Sequence, residues 1–430
     1  MKKIFFIGLA LGLAYLQPSY AQDVPGSLQD LVQKSFEHYA QIKSLKAQQM
    51  IAGDRTAISK ANRLPEINGN ATYTHLYPVP KIDLGDAVFQ PFPAENMNVG
   101  ISGRQLLLDF GKSKSDIQQS QAQKDLLTMQ TEEAKEILAY QVANVYLNIA
   151  FLNKEIDVQD ANIKLLEETE TMVSNKLKHG DAIDLDLLNT KVKLENYRNR
   201  KIEYENQLQK QQALLTYLTG VTYGGESISN DFNWPANTDP NTALDAFGEN
   251  ASLKTALEKE KVADLQLKAA KTQFSPSLFL DAGTGFKNGY LPDVSTPKFN
   301  YSAGVTLNIP IYNGKKLKLQ ESIASHQLEI AKYNTQDVND KLRQDVSQQN
   351  ADIIANQKKL TTSETLVQQA ERALQLAKTR YKLGVVTYLD LQNAQTSLLE
   401  AQLSRIQYQY QLSISSLELL HLAGDKFWKE

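Results

Sequence analysis

The chain has 430 residues, a formal net charge of −3 and no cysteine. Its 46 basic and 49 acidic side chains are nearly balanced, which argues against a nucleic-acid partner, and the lack of cysteine excludes disulfides and a lipid-bearing N-terminal cysteine. Beyond the N-terminus no apolar run approaches about eighteen residues, so the sequence excludes a membrane-spanning helix there, and entry into a bilayer would require a barrel of strands.

The N-terminus reads MKKIFFIGLALGLAYLQPSYA, which has the pattern of a secretory signal. Two lysines precede an apolar run, and Ser19-Tyr20-Ala21 forms a small-x-small end. We expect residues 1–21 to be removed on export. A retained anchor helix is the alternative, but the run from Ile4 to Leu16 is too short to span a bilayer comfortably.

The rest of the chain is a tandem duplication, because the same landmarks return at a nearly constant spacing. Gly180 returns as Gly384, and the Leu-Thr-Gly that ends at Gly220 returns as the Leu-Ala-Gly that ends at Gly424, both 204 residues later. We therefore predict two structural repeats. Their bounds are 22–220 for the first repeat, 221–241 for a linker, 242–424 for the second repeat and 425–430 for a C-terminal tail.

Each repeat is predicted to contain the same elements in the same order. A leading helix (about 27–62 or 242–273) stops at a proline, which cannot continue a helix. A β-hairpin, a very long helix and a returning helix of about half that length follow. The hairpins are predicted at 67–107 and 278–309, the long helices at 112–179 and 315–382, and the returning helices at 184–219 and 387–423. A leading and a returning helix stacked end to end would match one long helix, so we expect a wall of antiparallel helices.

The apolar residues of the first long helix recur every three or four positions, as at Val142, Val145, Ile149 and Leu152, with polar residues between them. This period predicts one face against neighbouring helices and another in water. A plain extended coiled coil would have the same period, so the helices alone leave that alternative open.

The predicted strands alternate between apolar and polar side chains. From Phe299 to Ile309 the odd positions are mostly apolar and the even positions are polar or glycine, which is typical of transmembrane barrel strands. A soluble sandwich of two sheets has the same alternation. Because the smallest known membrane barrels have about eight strands, four strands per chain would have to be shared among subunits. Loops 77–96 and 287–298 would then face the outside.

Residues suited to chemistry are not grouped as catalysis or metal binding requires. The five histidines are scattered without a second ligand at metal spacing. Phe110 to Ser113 looks like the end of a phosphate loop, but Leu106 stands where that motif needs glycine. We therefore expect a protein that is not an enzyme and that uses no cofactor or metal.

The order and spacing of these features resemble the TolC-like outer membrane efflux family over essentially the whole mature chain. The resemblance rests on the duplication, on the junctions LLLDFGK (106–112) and NIPIYNGK (308–315), and on RYKLGVVTYLDLQNAQTSL (380–398) with its weaker copy KLKHGDAIDLDLLNTKVKL (176–194). It implies a mainly α fold with a small β part, built as a homotrimer. Three times four strands would form a twelve-stranded outer-membrane β-barrel, and long antiparallel helices would continue it as a periplasmic α-barrel.

The resemblance also implies a function. The trimer would be the passive exit duct of a tripartite efflux system in the outer membrane of a Gram-negative bacterium. It would carry small molecules such as drugs from an inner-membrane pump and a periplasmic adaptor protein to the outside. The alternatives are the exit duct of a type I protein secretion system and a periplasmic coiled-coil scaffold without a pore.

Site residues follow from the same resemblance. The turns at Gly180 and Asp181, and at Gly384 and Val385, would form the far end of the tunnel, where the adaptor docks. Glycine permits the strained backbone of a tight helix reversal. The segment 221–241 would belong to a mixed belt around the middle of the tunnel.

The gate residues are carried over in the same way. Asp390 and Asn393 lie three apart on one helix face, and the resemblance places them at the constriction, with Asp186 and Asn189 as their first-repeat counterparts. Asn393 makes this ring less acidic than in the family. A hydrogen bond between Tyr381 and Asp186 is implied to hold the closed state, whereas Val386 stands where the family has an arginine.

Overall fold

The computed structural model describes residues 28–83, 85, 88–222 and 246–428. The predicted signal at 1–21 and the predicted linker, apart from residues 221–222, lie outside the described residues.

Both halves of the chain have helices on either side of a strand pair. The first half contains α1 (Leu28–His38), α2 (Ala40–Ala61), β1 (Glu66–His75), the two-residue strands β2 (Ile82–Asp83) and β3 (Val88–Phe89), β4 (Glu95–Leu108), α3 (Lys112–Lys178) and α4 (Asp184–Thr219). The second half contains a 3-10 turn (Ala246–Glu249), α5 (Ala251–Thr272), β5 (Ser277–Lys287), β6 (Lys298–Asn308), α6 (Lys316–Lys382) and α7 (Tyr388–Ala423).

The length of α3 and α6, 67 residues each, follows from their composition. Neither segment contains a glycine or proline, the two residues that cost most inside a helix. Both helices end just before a glycine with positive φ, Gly180 at 82° and Gly384 at 74°. The sequence therefore permits a helix of about 100 Å and then stops it.

The leading helices differ from the single helices predicted at 27–62 and 242–273. The first is broken at Tyr39, whose backbone is extended (φ −66°, ψ 120°) and whose ring packs against Tyr217 at 5.8 Å. Because of this break, α1 lies against α3 and α4. The described part of the second leading helix begins only at Ala251, where the Asn250 side chain accepts a hydrogen bond from Leu253 N at 3.0 Å and caps the helix.

The helices form a wall with α3 near its middle. At one end of the wall α3 packs between α4 and α7, at the other between α2 and α5, and α6 packs against both α5 and α7. The wall therefore has four columns: α2 with α4, α3, α5 with α7, and α6.

The short helices of a column meet end to end, as the sequence predicts. A Cβ on Gly424, after α7, would lie 2.6 Å from the carbonyl carbon of Glu249, just before α5. A Cβ on Gly220, after α4, would lie 2.5 Å from His38 Nδ1, at the end of α1. Both glycines also have φ of 74°, a conformation that favours glycine, so glycine suits the backbone as well as the close approach at each junction.

The four long strands form one antiparallel sheet in the order β1-β4-β5-β6. One row of partners across it runs from Glu66 to Arg104, Asp281 and Gly304. Strands β1 and β6 are the two edges of this sheet in the chain. No described helix is sufficiently long and apolar to cross a membrane.

The sheet has one polar and one apolar face. The polar face carries Asn68, Ser102, Gly283 and Ser302 in one row and Asn70, Gly100, Gly285 and Asn300 in another. A Cβ on Gly285 would lie 2.6 Å from Gly100 Cα, so side chains would collide on this face. The paired glycines Gly100 and Gly285 therefore allow the backbones of β4 and β5 to approach closely at this point of the polar face.

The main apolar core lies where α1 crosses the wall. Leu138, Val142 and Ile149 of α3 pack there with Val32 of α1 and with Trp428. Trp428 is only 6% exposed, so the C-terminal end of the described chain is part of the core.

Candidate functional site: the paired helix turns

The turns after α3 and α6 have the same backbone geometry. Gly180 N donates to Leu177 O at 3.0 Å and Asp181 N to Lys176 O at 2.8 Å. Gly384 N donates to Tyr381 O at 3.1 Å and Val385 N to Arg380 O at 2.9 Å. This is the Schellman arrangement, which places glycine in the left-handed conformation and satisfies the last carbonyls of the helix.

The helices that follow these turns begin differently. Thr387 caps α7, since its hydroxyl accepts a hydrogen bond from Asp390 N at 3.2 Å while Asp390 Oδ2 accepts one from Thr387 N at 2.8 Å. The cap position of α4 is Ile183, which has no such side chain. The capping box T-x-x-D (387–390) was not recognised in the sequence, although its spacing is a known signal for a helix start.

Asp390 is therefore occupied within its own helix. Hydrogen bonds from the Thr387 hydroxyl, at 2.7 Å, and from the Thr387 backbone lower the pKa of Asp390 and hold it as a carboxylate. Its predicted place at a constriction depends on other subunits and stays a prediction, as does that of the exposed Asn393.

One open groove of about 550 Å³ joins the two turns. The groove brings together six of the predicted site residues, whereas Val385, Asp390 and Asn393 do not line it. The six are Gly180, Asp181, Asp186, Asn189, Tyr381 and Gly384. Val385 is instead 69% exposed at the tip of its turn.

Tyr381 is enclosed at the base of this groove. Its side chain is 5% exposed, its ring centroid is 6.4 Å from that of Tyr388, and Lys176 Nζ lies 5.3 Å from the ring. The hydroxyl has no hydrogen-bond partner among the described residues, so the predicted bond to Asp186 is not formed in this structure. Burial and the nearby negative charge of Asp186 raise the pKa of Tyr381, which keeps the hydroxyl protonated.

Other side chains join the first helix pair, α3 and α4, to the second, α6 and α7. We call four of these hydrogen-bonded contacts the polar seam. They are Thr190–Tyr388 at 2.8 Å, Lys193–Thr396 at 2.6 Å, Thr169–Gln395 at 2.7 Å and Asn162–Gln402 at 3.2 Å. Four of the eight side chains, Asn162, Thr169, Thr190 and Gln395, are at most 4% exposed.

The polar seam is not among the predicted site residues, although it leaves a signal in the sequence of α7. Tyr388, Gln395 and Gln402 recur every seven residues, which places them along one stripe of the helix. Buried polar groups need partners, and each of these finds one on α3 or α4. Near the seam, Lys378 of α6 also pairs with Glu168 of α3 at 2.8 Å.

Comparison with known proteins gives one family for the whole arrangement. The profile described as "Outer membrane efflux protein" matches residues 31–221 and 244–425. The chain is 25% identical over 445 residues to "Outer membrane protein TolC" of Vibrio cholerae, which covers 97% of the chain and 94% of that protein. It is 24% identical over 347 residues to "Antibiotic efflux pump outer membrane protein ArpC" of Pseudomonas putida, covering 77% and 69%.

A solved structure supports the same conclusion for the fold. The outer membrane protein VceC of Vibrio cholerae superposes with a TM-score of 0.80 at 19% identity, covering 93% of the chain and 96% of VceC. This confirms the predicted mainly α, TolC-like fold. Since the family profile matches most of the sequence, including both helix turns, the chain belongs to the outer membrane efflux protein family.

Proposed function

We propose that the chain is one subunit of a homotrimeric outer-membrane exit duct that passively conducts small molecules such as drugs. An inner-membrane pump would supply the energy, and a periplasmic adaptor protein would join the pump to the duct. The observation that carries the proposal is that one chain forms an open segment of a wall. Within the part of the chain that the structure describes, the sheet ends at β1 and β6, and the helical layer ends at the column of α2 with α4 and at α6.

The edges of the sheet support self-association. All ten residues of β1 are exposed, and among the described strands β6 pairs with β5 alone. Such edges offer unpaired backbone groups to another chain. Four strands are too few to close a membrane barrel, whereas three copies supply twelve.

The edges of the helical wall agree with those of the sheet. On α6 the outward side chains Leu319, Ile323 and Ile330 are 59%, 57% and 58% exposed. On the opposite column Ile58 of α2 and Ile202 of α4 are each 60% exposed. If one apolar edge of a chain packs against the other apolar edge of the next copy, the contact is head-to-tail. Such a contact closes into a ring when the rotation between neighbouring copies is a whole fraction of a full turn.

The apolar face of the sheet supports contact with lipid. Its exposed side chains include Val99 at 53%, Ile101 at 57% and Val305 at 62%. The eleven-residue strands β5 and β6 have the length of membrane-spanning strands, which are about 9–11 residues long. Closing the sheet towards its polar face would leave these apolar side chains on the outside, against outer-membrane lipid.

The helix turns would form the periplasmic end of the duct. Three subunits carry six turns, and Gly180, Asp181, Gly384 and Val385 are the proposed contacts for the adaptor. Asp186, Asn189, Tyr381, Asp390 and Asn393 remain the proposed gate residues. An adaptor can open the gate only by binding the open state more tightly than the closed state. Opening that parts the two helix pairs would have to break the polar seam.

Reconstitution of the purified full-length protein tests the duct. The proposal predicts a heat-resistant trimer and discrete conductance steps in planar bilayers, whereas a coiled-coil scaffold gives neither. A deletion strain tests the cargo. Greater susceptibility to antibiotics with unchanged secretion of polypeptides supports small-molecule efflux, and the converse supports type I secretion.

Docking is tested by photocrosslinking in living cells from a single cysteine introduced at Asp181 or Val385. Because the chain has no cysteine of its own, each variant carries one reactive thiol. Capture of a periplasmic adaptor supports the assignment of the turns. A correctly assembled trimer that captures nothing periplasmic contradicts it.

A further inference from the structure

Charged residues lie together in one row at the helix end of the polar face. Glu66, Arg104 and Asp281 are cross-strand neighbours on β1, β4 and β5, and all three strands meet their helices a few residues away. The next two rows of this face hold only Asn, Ser and Gly. The row is therefore a charged band that two uncharged rows separate from the rest of the face.

The two carboxylates of the row differ in their partners. Arg104 Nε donates to Asp281 Oδ1 at 2.7 Å, and Thr306 Oγ1 donates to Asp281 Oδ2 at 2.8 Å. The Arg104 guanidinium carbon also lies 5.1 Å from the centroid of the Phe279 ring, which fixes it beside Asp281. Among the described residues, Glu66 accepts a hydrogen bond from Asn68 Nδ2 alone, at 3.2 Å. The row thus contains one neutralised carboxylate and one that keeps its charge.

The open face in front of these residues is accessible. A cavity of about 580 Å³ lies over the row and is lined by Glu66, Asn68, Arg104, Asp281 and Ser302, among others. In the proposed duct the polar face lines the inside, so three copies would bring three such rows to the inner wall. Each row has a formal charge of −1, so the closed ring would carry −3.

The other charged residues of this face are far away. Lys287 and Lys298 lie at the loop end, in the row of Thr72 and Asn98, six residues from Glu66 along β1. At ~3.4 Å per residue the two rows are ~20 Å apart. The Debye length is about 10 Å at 0.1 M salt, so the two ends act almost independently under those conditions.

We propose that Glu66, with Asp281 neutralised by Arg104, sets a charge preference at the point where solutes pass from the helical tunnel into the closed sheet. The proposal rests on the exit duct argued above. The ring of three Glu66 carboxylates raises the local concentration of cations and lowers that of anions, as rings of acidic side chains do in cation channels. The class of solute that it favours is inorganic cations and cationic small molecules.

A series of variants separates the net charge of the row from the integrity of the ion pair. Glu66→Gln brings the row to a formal charge of 0 and leaves the pair intact. Arg104→Gln brings it to −2 and breaks the pair. The double variant Arg104→Gln with Asp281→Asn also breaks the pair but keeps −1. Lys287→Gln changes a charge at the remote end as a control.

The measurement is the reversal potential of reconstituted full-length trimers in a KCl gradient around 0.1 M. We expect the ratio of potassium to chloride permeability to fall in Glu66→Gln and to rise in Arg104→Gln, each on the order of twofold. The double variant should match the wild type. In 1 M KCl, where the Debye length is about 3 Å, the differences should vanish.

Three results would overturn the proposal. They are a Glu66→Gln ratio equal to that of the wild type, a double variant that differs from the wild type as much as Arg104→Gln does, and differences that persist in 1 M KCl. If Arg104→Gln fails to give heat-resistant trimers, the comparison of Glu66→Gln with the wild type still tests the role of Glu66. A wild-type protein that forms no channel would remove the exit duct as well, whereas conducting trimers with a constant ratio remove only the role of Glu66.

Discussion

The hydroxyl groups of Tyr388 and Thr190 lie 2.8 Å apart, although 198 residues separate them in the chain. The bond joins the start of α7 to the start of α4, and both side chains are buried, at 8% and 0% exposed. Thr190 belongs to the first predicted repeat and Tyr388 to the second. The contact therefore connects the two copies of the turn directly, beside the groove that both turns line.

Tyr388→Phe is expected to loosen this connection. It removes one hydroxyl and leaves Thr190 with a single partner, the Asp186 carbonyl at 2.8 Å. The free energy of unfolding should fall by about 1 kcal/mol, the net value of a typical hydrogen bond. In bilayers the variant should spend more time in its larger conductance states. Tyr408→Phe, on the same helix but outside the polar seam, is the control, and equal effects of both variants would contradict a special role for Tyr388.

Tyr381→Phe, unlike Tyr388→Phe, should not lower the stability of the protein. Because the Tyr381 hydroxyl is buried without a partner among the described residues, its removal deletes no hydrogen bond and relieves a desolvated polar group. We expect an unchanged or slightly higher melting temperature. The conductance should stay unchanged as well, because Tyr381→Phe keeps the ring at the proposed gate and removes only a hydroxyl that makes no bond to Asp186 in this structure. A clear rise in conductance would instead support the latch between Tyr381 and Asp186 that family resemblance implies.

The glycine of the second turn should not tolerate a side chain. Gly384 has φ of 74°, a conformation that costs other residues roughly 1–2 kcal/mol. Gly384→Ala should therefore destabilise the protein by about that amount. Gly53→Ala is the matched control, because Gly53 lies inside α2 with open space around its would-be Cβ, and alanine there should stabilise by roughly 0.5–1 kcal/mol. Thermal unfolding should therefore show a lower melting temperature for Gly384→Ala and a higher one for Gly53→Ala.

The capping box at the start of α7 predicts a dependence on pH. The pKa of Asp390 is lowered by its bonds to Thr387, so the folded state binds this proton less readily than the unfolded chain does. Its contribution to stability is complete above the unfolded pKa of about 3.9 and is lost as pH falls through the folded pKa. Relative to the intrinsic exchange rate at each pH, the protection of the amides in the first turn of α7 should therefore fall in acid.

Thr387→Ala should remove most of that acid dependence and accelerate exchange at neutral pH as well, since loss of an N-cap costs about 1 kcal/mol. The first turn of α4, which has Ile183 at its cap position, serves as the internal reference. A similar loss of protection in both turns on acidification would assign the effect to something other than the Asp390 cap.

The apolar edge of α6 should be needed for assembly. Ile323→Asp places a charge on a side chain that is 57% exposed in one chain and would be covered in a trimer. We expect loss of the heat-resistant oligomer. Ile137→Asp adds the same charge on α3, where Ile137 is 42% exposed away from both edges, and should leave the oligomer intact. Dissociation in both variants, or in neither, would argue against this edge as the interface.

Features encoded by local rules could be predicted from the sequence. The long helices follow from the absence of glycine and proline between 112 and 178, and their ends follow from Gly180 and Gly384. The polar and apolar faces of the sheet follow from the period of two between Phe299 and Ile309. The stacking of a leading and a returning helix in one column follows from the helix lengths alone, because the two together match one long helix.

Features set by tertiary packing could not be predicted from the sequence. The break at Tyr39 depends on the contact of its ring with Tyr217, far away in the sequence. Thr190 and Tyr388 are ordinary helix residues until the fold brings them together. The Tyr381 hydroxyl has no hydrogen-bond partner among the described residues, although Asp186 is near enough to raise its pKa, and no local pattern encodes this arrangement.

The most direct test of the exit duct uses the polar and apolar faces of β6. In this cysteine-free chain, Ser302→Cys puts a thiol on the polar face and Ala303→Cys puts one on the opposite face. A charged, water-soluble thiol reagent is added to single reconstituted channels. We expect the conductance of Ser302→Cys to fall in three steps, one per subunit, and that of Ala303→Cys to stay unchanged. Equal responses of the two variants, or no conductance in either, would contradict a water-filled duct lined by the polar face of three chains.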